Sequence, residues 1–161
     1  NGSLVTTTGP EGSGLAMGLI VDTGMGLVLY GATEETESNT VAATRGNKQS
    51  VTGQAVLTMG AISAGYGEWF VNGADGAADY TGDAYSIAFN VNDSLSVSYG
   101  KMEDSKQATG SASAGAEITA YNIAYTMGSM AVKIKQTDTD NANFTTAKTA
   151  EMTEIAVSFS F

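Results

Sequence analysis

Apolar side chains recur at every second position over most of this chain. In the final segment Ile155, Val157, Phe159 and Phe161 point one way, while Glu154, Ala156, Ser158 and Ser160 point the other. The same alternation places Tyr121, Ile123 and Tyr125 against Ala120, Asn122 and Ala124, and Tyr85, Ile87 and Phe89 against Ala84, Ser86 and Ala88. Leu95, Val97 and Tyr99 alternate with Ser94, Ser96 and Ser98; Met130, Val132 and Ile134 alternate with Ala131, Lys133 and Lys135. Leu15, Met17, Leu19 and Val21 repeat the pattern near the start. A period of two belongs to strands with two unlike faces. It predicts strands over 13–22, 25–35, 50–59, 61–71, 83–91, 94–104, 116–127, 129–138 and 150–161. Segment 61–71 is the least regular: Trp69 and Phe70 are adjacent and Glu68 is in phase with Ile62 and Tyr66, which suggests a bulge or a rim position.

The connections alternate in length. Tight turns are expected at Thr23-Gly24, Gly60, Asn92-Asp93 and Gly128-Ser129, where Gly supplies positive φ and Asn or Asp tolerates it. Long polar linkers fall at 36–49, 72–82, 105–115 and 139–149. Turn centres at 24, 60, 93 and 128, with the last residue at 161, recur every 33 to 36 positions, a hairpin repeat. Short turns on one side and long loops on the other mark an up-and-down transmembrane β-barrel, because a sheet in lipid must satisfy all its backbone groups by closing on itself.

Composition narrows the options. Only 15% of residues are charged, against about 25% in ordinary soluble domains. The longest apolar stretch, 14–21, is far shorter than the roughly 20 residues a spanning helix needs. With no Cys and no His, thiol chemistry, Cys-ligated zinc and imidazole catalysis are excluded. A net charge of −10 opposes nucleic-acid binding, which requires a basic surface. Neither a cofactor motif nor a carboxylate pair at a telling spacing is present, so the chain reads as a non-enzyme. Glu34, Glu35 and Glu37, and Asp138 with Asp140, crowd oxygen ligands at loop mouths but lack an ordered calcium-loop spacing; a solvated acidic rim is the simpler reading.

The C-terminal strand resembles the signature strand of outer-membrane barrels, in which a terminal aromatic and alternating apolar residues are recognised by the barrel-assembly machinery. With its hairpin repeat and acidic loops, the chain resembles the C-terminal half of a general Gram-negative porin. The resemblance implies an all-β, antiparallel barrel of about sixteen strands in the outer membrane, a homotrimer passing ions and small hydrophilic solutes by passive diffusion. The nine strands read here then form one transmembrane β-barrel domain over 1–161, an N-terminally truncated portion. The alternative repair makes Ser3–Thr8 a tenth strand of a small complete barrel, with a structural or adhesive role. A soluble secreted all-β binding protein is the third reading. General porins carry a constriction loop with carboxylates facing a basic ladder; here Arg45 is the sole arginine and falls in a loop, so no selectivity is carried over.

Under the barrel reading, Lys133, Lys135, Glu154, Asn122 and Ser96 are the pore-lining candidates, with a cross-strand ion pair between Glu154 and a neighbouring lysine. Solvated wall lysines are the bland alternative. Tyr85, Phe89, Tyr99, Tyr121, Tyr125, Phe159 and Phe161 are the lipid-facing aromatics. Asp22 reads as a turn carboxylate, and Trp69 as a rim residue or one pointing inward at the mouth. The partners expected are the lipid bilayer, the assembly machinery and small polar solutes; no metal is expected.

Overall fold

The alternating segments pair in chain order. In a computed structural model, ten strands form one antiparallel sheet with the linear order β1 to β10. The structure describes residues 2–7, 14–36, 47–73, 77–107 and 115–160. The strands are β1 (Gly2–Thr7), β2 (Gly14–Asp22), β3 (Leu27–Thr36), β4 (Lys48–Met59), β5 (Ile62–Asn72), β6 (Asp79–Asn90), β7 (Leu95–Gln107), β8 (Ala116–Met127), β9 (Met130–Asp140) and β10 (Ala150–Phe159). One short 3-10 turn, Ala142–Phe144, lies between β9 and β10. Among the described residues there is no α-helix, and no ladder joins β1 to β10. The all-β, up-and-down part of the expectation is therefore observed.

Two expectations change. Nine strands become ten, because Gly2–Thr7 pairs with β2 from Gly2↔Val21 to Thr7↔Ala16. This is the short tenth strand that the alternative reading placed at Ser3–Thr8; a backbone ladder needs no side-chain alternation, which is why the pattern alone did not favour it. The suspected bulge in segment 61–71 is absent: the ladders run unbroken through Thr52↔Trp69↔Gly82 and Val51↔Phe70↔Thr81. Several strands also run further toward the long loops than expected. β6 starts at Asp79, β7 ends at Gln107 and β9 at Asp140. There both faces are polar, so the alternation fades while the hydrogen bonding continues.

The tight turns form where glycine allows. Gly24, Gly26, Gly60 and Gly128 all have positive φ. The Asp22 carboxylate accepts the Gly24 amide at 2.8 Å, so it is the turn carboxylate expected. Asn92 closes its own turn by accepting the amides of Ser94 and Leu95, each at 2.9 Å.

Register fixes two faces across the sheet. On the apolar face one row runs Met59–Ile62–Phe89–Val97–Ile123–Ile134–Ile155 through direct partners. It starts beside the turn at β5 and ends four positions inside β9 and β10. Rows that climb steadily relative to the turns are the stagger of tilted strands in a barrel-like sheet. Crowding differs between the faces at several glycines. A Cβ added at Gly31 or Gly53, on the apolar face, meets nothing within 4 Å. On the other face, one at Gly65 or Gly67 meets a neighbour's side chain at 2.9 Å, and one at Gly82 runs into the Trp69 ring. The tighter positions are local to β5 and β6, since Gly18 and Gly100 on the same face meet nothing closer than 3.6 Å.

Candidate functional site: the two faces of the sheet and the β9–β10 loop

The apolar face is a band without a cover. Ile87 is 51% exposed, Ile123 48%, Ile155 66% and Phe159 59%. The only buried apolar residues among those described are Ala116 and Ala142, and no large side chain is fully buried. The surface is 10696 Å² for 16.4 kDa, against about 7500 Å² for a compact domain of that mass. Contiguous apolar area on this scale needs lipid or a partner against it.

Aromatic residues mark the margins of the band. Tyr66, Tyr85, Tyr99 and Tyr121 form a contiguous girdle on its long-loop side. Ring centroids lie 6.3 Å apart for Tyr85–Tyr99 and 5.3 Å for Tyr99–Tyr121. Phe89, Tyr125 and Phe159 stand on the same face nearer the tight turns. All the expected lipid-facing aromatics that can be placed share this face; Phe161 lies outside the described residues, as do Glu37 and Arg45.

Beyond the girdle, Glu68, Asp83, Glu103, Glu117 and Asp140 are direct partners in one row across β5 to β9. Opposed like charges repel. Lys101 relieves part of this, its Nζ standing 2.9 Å from Glu103 and 2.8 Å from Glu117. The carboxylates are spread along the row, and among the described residues no three acidic groups converge as metal ligands.

The polar face is built largely from small residues, interspersed with Val56, Met102 and Ile118. Gly65, Gly67, Ala84, Ser86, Gly100 and Ala120 floor a groove of about 350 Å³. Trp69 projects from this face, lies across Gly82 and donates its indole N–H to Asp104 at 2.9 Å, binding β5, β6 and β7 together. Lys133, Lys135, Glu154 and Asn122 converge on a single depression of about 160 Å³. Asn122 donates to Ser98 at 3.2 Å. Lys135 and Glu154 are direct partners, yet no ion pair within 4 Å joins them among the described residues. The expected cross-strand ion pair is thus corrected: opposite register positions bring the backbones together, while both charged groups line one depression without pairing. Ser96 lies apart, in a second depression with Asn90 and Thr126.

No protein-family model matches this chain and no curated protein is significantly similar to it. Among the described residues no helix is long and apolar enough to cross a membrane, which leaves strands as the only elements to consider for that role.

The loop after β9 was missed by sequence reasoning. Residues 139–149 were expected to be a long polar linker, of which β9 takes up 139 and 140. The remainder folds back over the polar face. Phe144 packs on Tyr80 of β6 with centroids 5.8 Å apart, reaching past β8 and β7. Lys106 Nζ sits 5.8 Å from the Tyr80 ring and 5.9 Å from that of Phe144. Tyr80 and Lys106 are cross-strand partners. At the loop's base Asn141 donates to the Gly115 carbonyl and accepts the Ala147 amide, both at 2.9 Å. Asn141, Asn143, Phe144 and Ala147 all have left-handed φ, between 51° and 60°. For residues with a Cβ this costs on the order of 1 kcal/mol each, so the packed conformation is held against its own backbone preference. One signal was legible: Phe144 is the lone aromatic of 139–149.

Proposed function

We propose that this sheet is wall of an outer-membrane β-barrel of a Gram-negative bacterium, passing ions and small hydrophilic solutes by passive diffusion. The observation that carries the reading is the segregation of side chains over most of the sheet, with Ile20, Tyr30, Val56, Met102 and Ile118 as large apolar exceptions on the polar face. One face bears an exposed apolar band with tyrosines at its margin, and the opposite face bears mostly small and polar residues. Lipid against the first face supplies the burial that the chain lacks internally. Water fills the second, where Lys133, Lys135, Glu154, Asn122 and Ser96 meet the solute. The porin resemblance of the last strand fits this placement, since Ile155, Val157 and Phe159 all lie on the apolar face. That strand is the segment offered to the assembly machinery, and a homotrimer is the assembly the resemblance implies. No bound cofactor or covalent chemistry enters this reading.

The ten strands favour one further reading, a small barrel closed by a β1–β10 seam and working through its loops. The width of the passage separates the two, because a wall of about sixteen strands leaves an aqueous channel and one of eight to ten is filled by its own side chains. The test is reconstitution of the protein, extracted from native envelopes, into planar bilayers. A porin gives stepwise conductance and a folded band that shifts on boiling. A boiling shift without conductance steps favours the small barrel, and a freely soluble protein with no shift refutes both.

A further inference from the structure

The loop over the polar face has no part in forming the wall, yet it is anchored to three strands of it. Asn141 ties its base to the start of β8, Ala142 is buried, and Phe144 reaches Tyr80 on β6 and Lys106 on β7. Its own backbone is closed by amide bonds from Ala142 to the Lys148 carbonyl at 2.7 Å and from Lys148 to that of Thr145 at 3.1 Å. A loop that merely connects two strands has no need of four left-handed residues and an aromatic anchor. A loop that must hold a fixed position in front of a solvated face needs both.

We infer that the β9–β10 loop is the element that sets the width and the charge of the passage at its long-loop mouth, with Phe144 as its fastener and Lys106 as the charge that a solute meets. This inference rests on the channel reading above and adds to it the residues that select the solute. The groups facing that point fix the sign. Residues 141–149 contain no carboxylate and contribute Lys148. Lys106 lies on the polar face beside Asp104, whose Oδ1 is already engaged by the Trp69 indole N–H. The acidic row of Glu68, Asp83, Glu103, Glu117 and Asp140 belongs to the opposite face of the sheet. Asp104 keeps its charge when it accepts the indole N–H, and Glu34 and Lys48 at the long-loop ends of β3 and β4 offset each other, so Lys106 and Lys148 leave one net positive charge among the described groups on this side of the mouth. Small hydrophilic anions are favoured there, and solutes too wide for the gap left beside Phe144 are turned back.

Lys106 is poised for this role by its neighbours. Two aromatic faces within 6 Å stabilise an ammonium without neutralising it, in contrast to a carboxylate partner, which would cancel the charge. Among the described residues its contacts are these rings rather than an acid. The same contact makes the charge and the loop position interdependent: withdrawing Phe144 both widens the mouth and frees the lysine to swing into solvent.

The experiment is single-channel recording of the full protein and of two variants in planar bilayers, with conductance in symmetric salt and reversal potential across a salt gradient. Each variant is first checked for the boiling-dependent band shift of a folded barrel. Phe144→Ala releases the loop and is expected to raise conductance roughly 1.5-fold or more. Lys106→Met keeps an unbranched chain against the rings and is expected to leave conductance within the scatter of the unmodified protein while moving the reversal potential toward cation preference. Should Phe144→Ala fail to fold, Lys106→Met still decides the charge assignment. Unmodified channels whose conductance and reversal potential are matched by both variants overturn the inference and leave the channel reading standing. Absence of channels in the unmodified protein overturns the channel reading and the inference with it.

Discussion

The two faces of this sheet are made by the same strands, one residue apart, and they differ in almost everything. On the apolar face large side chains stand exposed, and glycines such as Gly31 and Gly53 have open space around them. On the polar face small side chains are shielded, and Gly65, Gly67 and Gly82 have none to spare. A soluble sheet with one wet face does the reverse: its large apolar side chains are the shielded ones, packed on a core. The comparison teaches that most of the exposed large apolar side chains lie on one side of the sheet. It also shows that glycine, alanine and serine leave room for a groove on the other side, among Val56, Trp69, Met102 and Ile118.

The sharpest way to break this contrast is to exchange the character of neighbouring positions. Ile87 lies mid-band on the apolar face and Ser86 on the polar one. Ile87→Lys is expected to destabilise the membrane-inserted protein by about 2–4 kcal/mol, and Ser86→Lys by about 0–1 kcal/mol. Urea titration of refolding into lipid vesicles measures both; equal costs would show that the two faces see the same solvent. Next in size is a test of crowding. Gly82→Val drives a side chain into the Trp69 ring and the Asp104 carboxylate and should cost about 1–3 kcal/mol, whereas Gly53→Val, in open space, should cost little. The same titration reads it, and equally crowded faces would treat the two alike. The smallest effect concerns the acidic row. Lys101→Met removes the cation joined to Glu103 and Glu117 and should lower the temperature at which the folded gel band is lost, more at low salt than at high. Lys133→Met, on the opposite face, should leave that temperature unchanged. A loss indifferent to salt would mean that the row is not held by charge.

Much of the architecture was legible because it rests on local chemistry. Alternation in β5 to β10 assigned the apolar face correctly, from Tyr85 and Phe89 to Val157 and Phe159, since a pleated strand leaves successive side chains no choice of side. Turn glycines at 24, 60 and 128 were legible for the same reason. β1 was legible only as the alternative short strand at Ser3–Thr8, because an edge ladder requires backbone groups alone and leaves no alternation to read. The adjacent Trp69 and Phe70 break an apolar pattern, which left a bulge and a rim position both open; the unbroken ladder removes the bulge, and Trp69 lies on Gly82 on the polar face.

The candidate site divides in the same way. By itself the sequence determined which residues share a face, hence that Lys133, Lys135, Glu154 and Asn122 belong together and stand opposite the tyrosines. Face membership follows from a period of two, and no knowledge of neighbours is needed. Only the tertiary structure decided what those residues touch. It left Lys135 and Glu154 unjoined, laid five carboxylates in one row, and brought Phe144 from the β9–β10 loop to Tyr80 and Lys106. Contacts across three strands depend on stagger and curl, which accumulate over the whole sheet and leave no mark on any one segment of the chain.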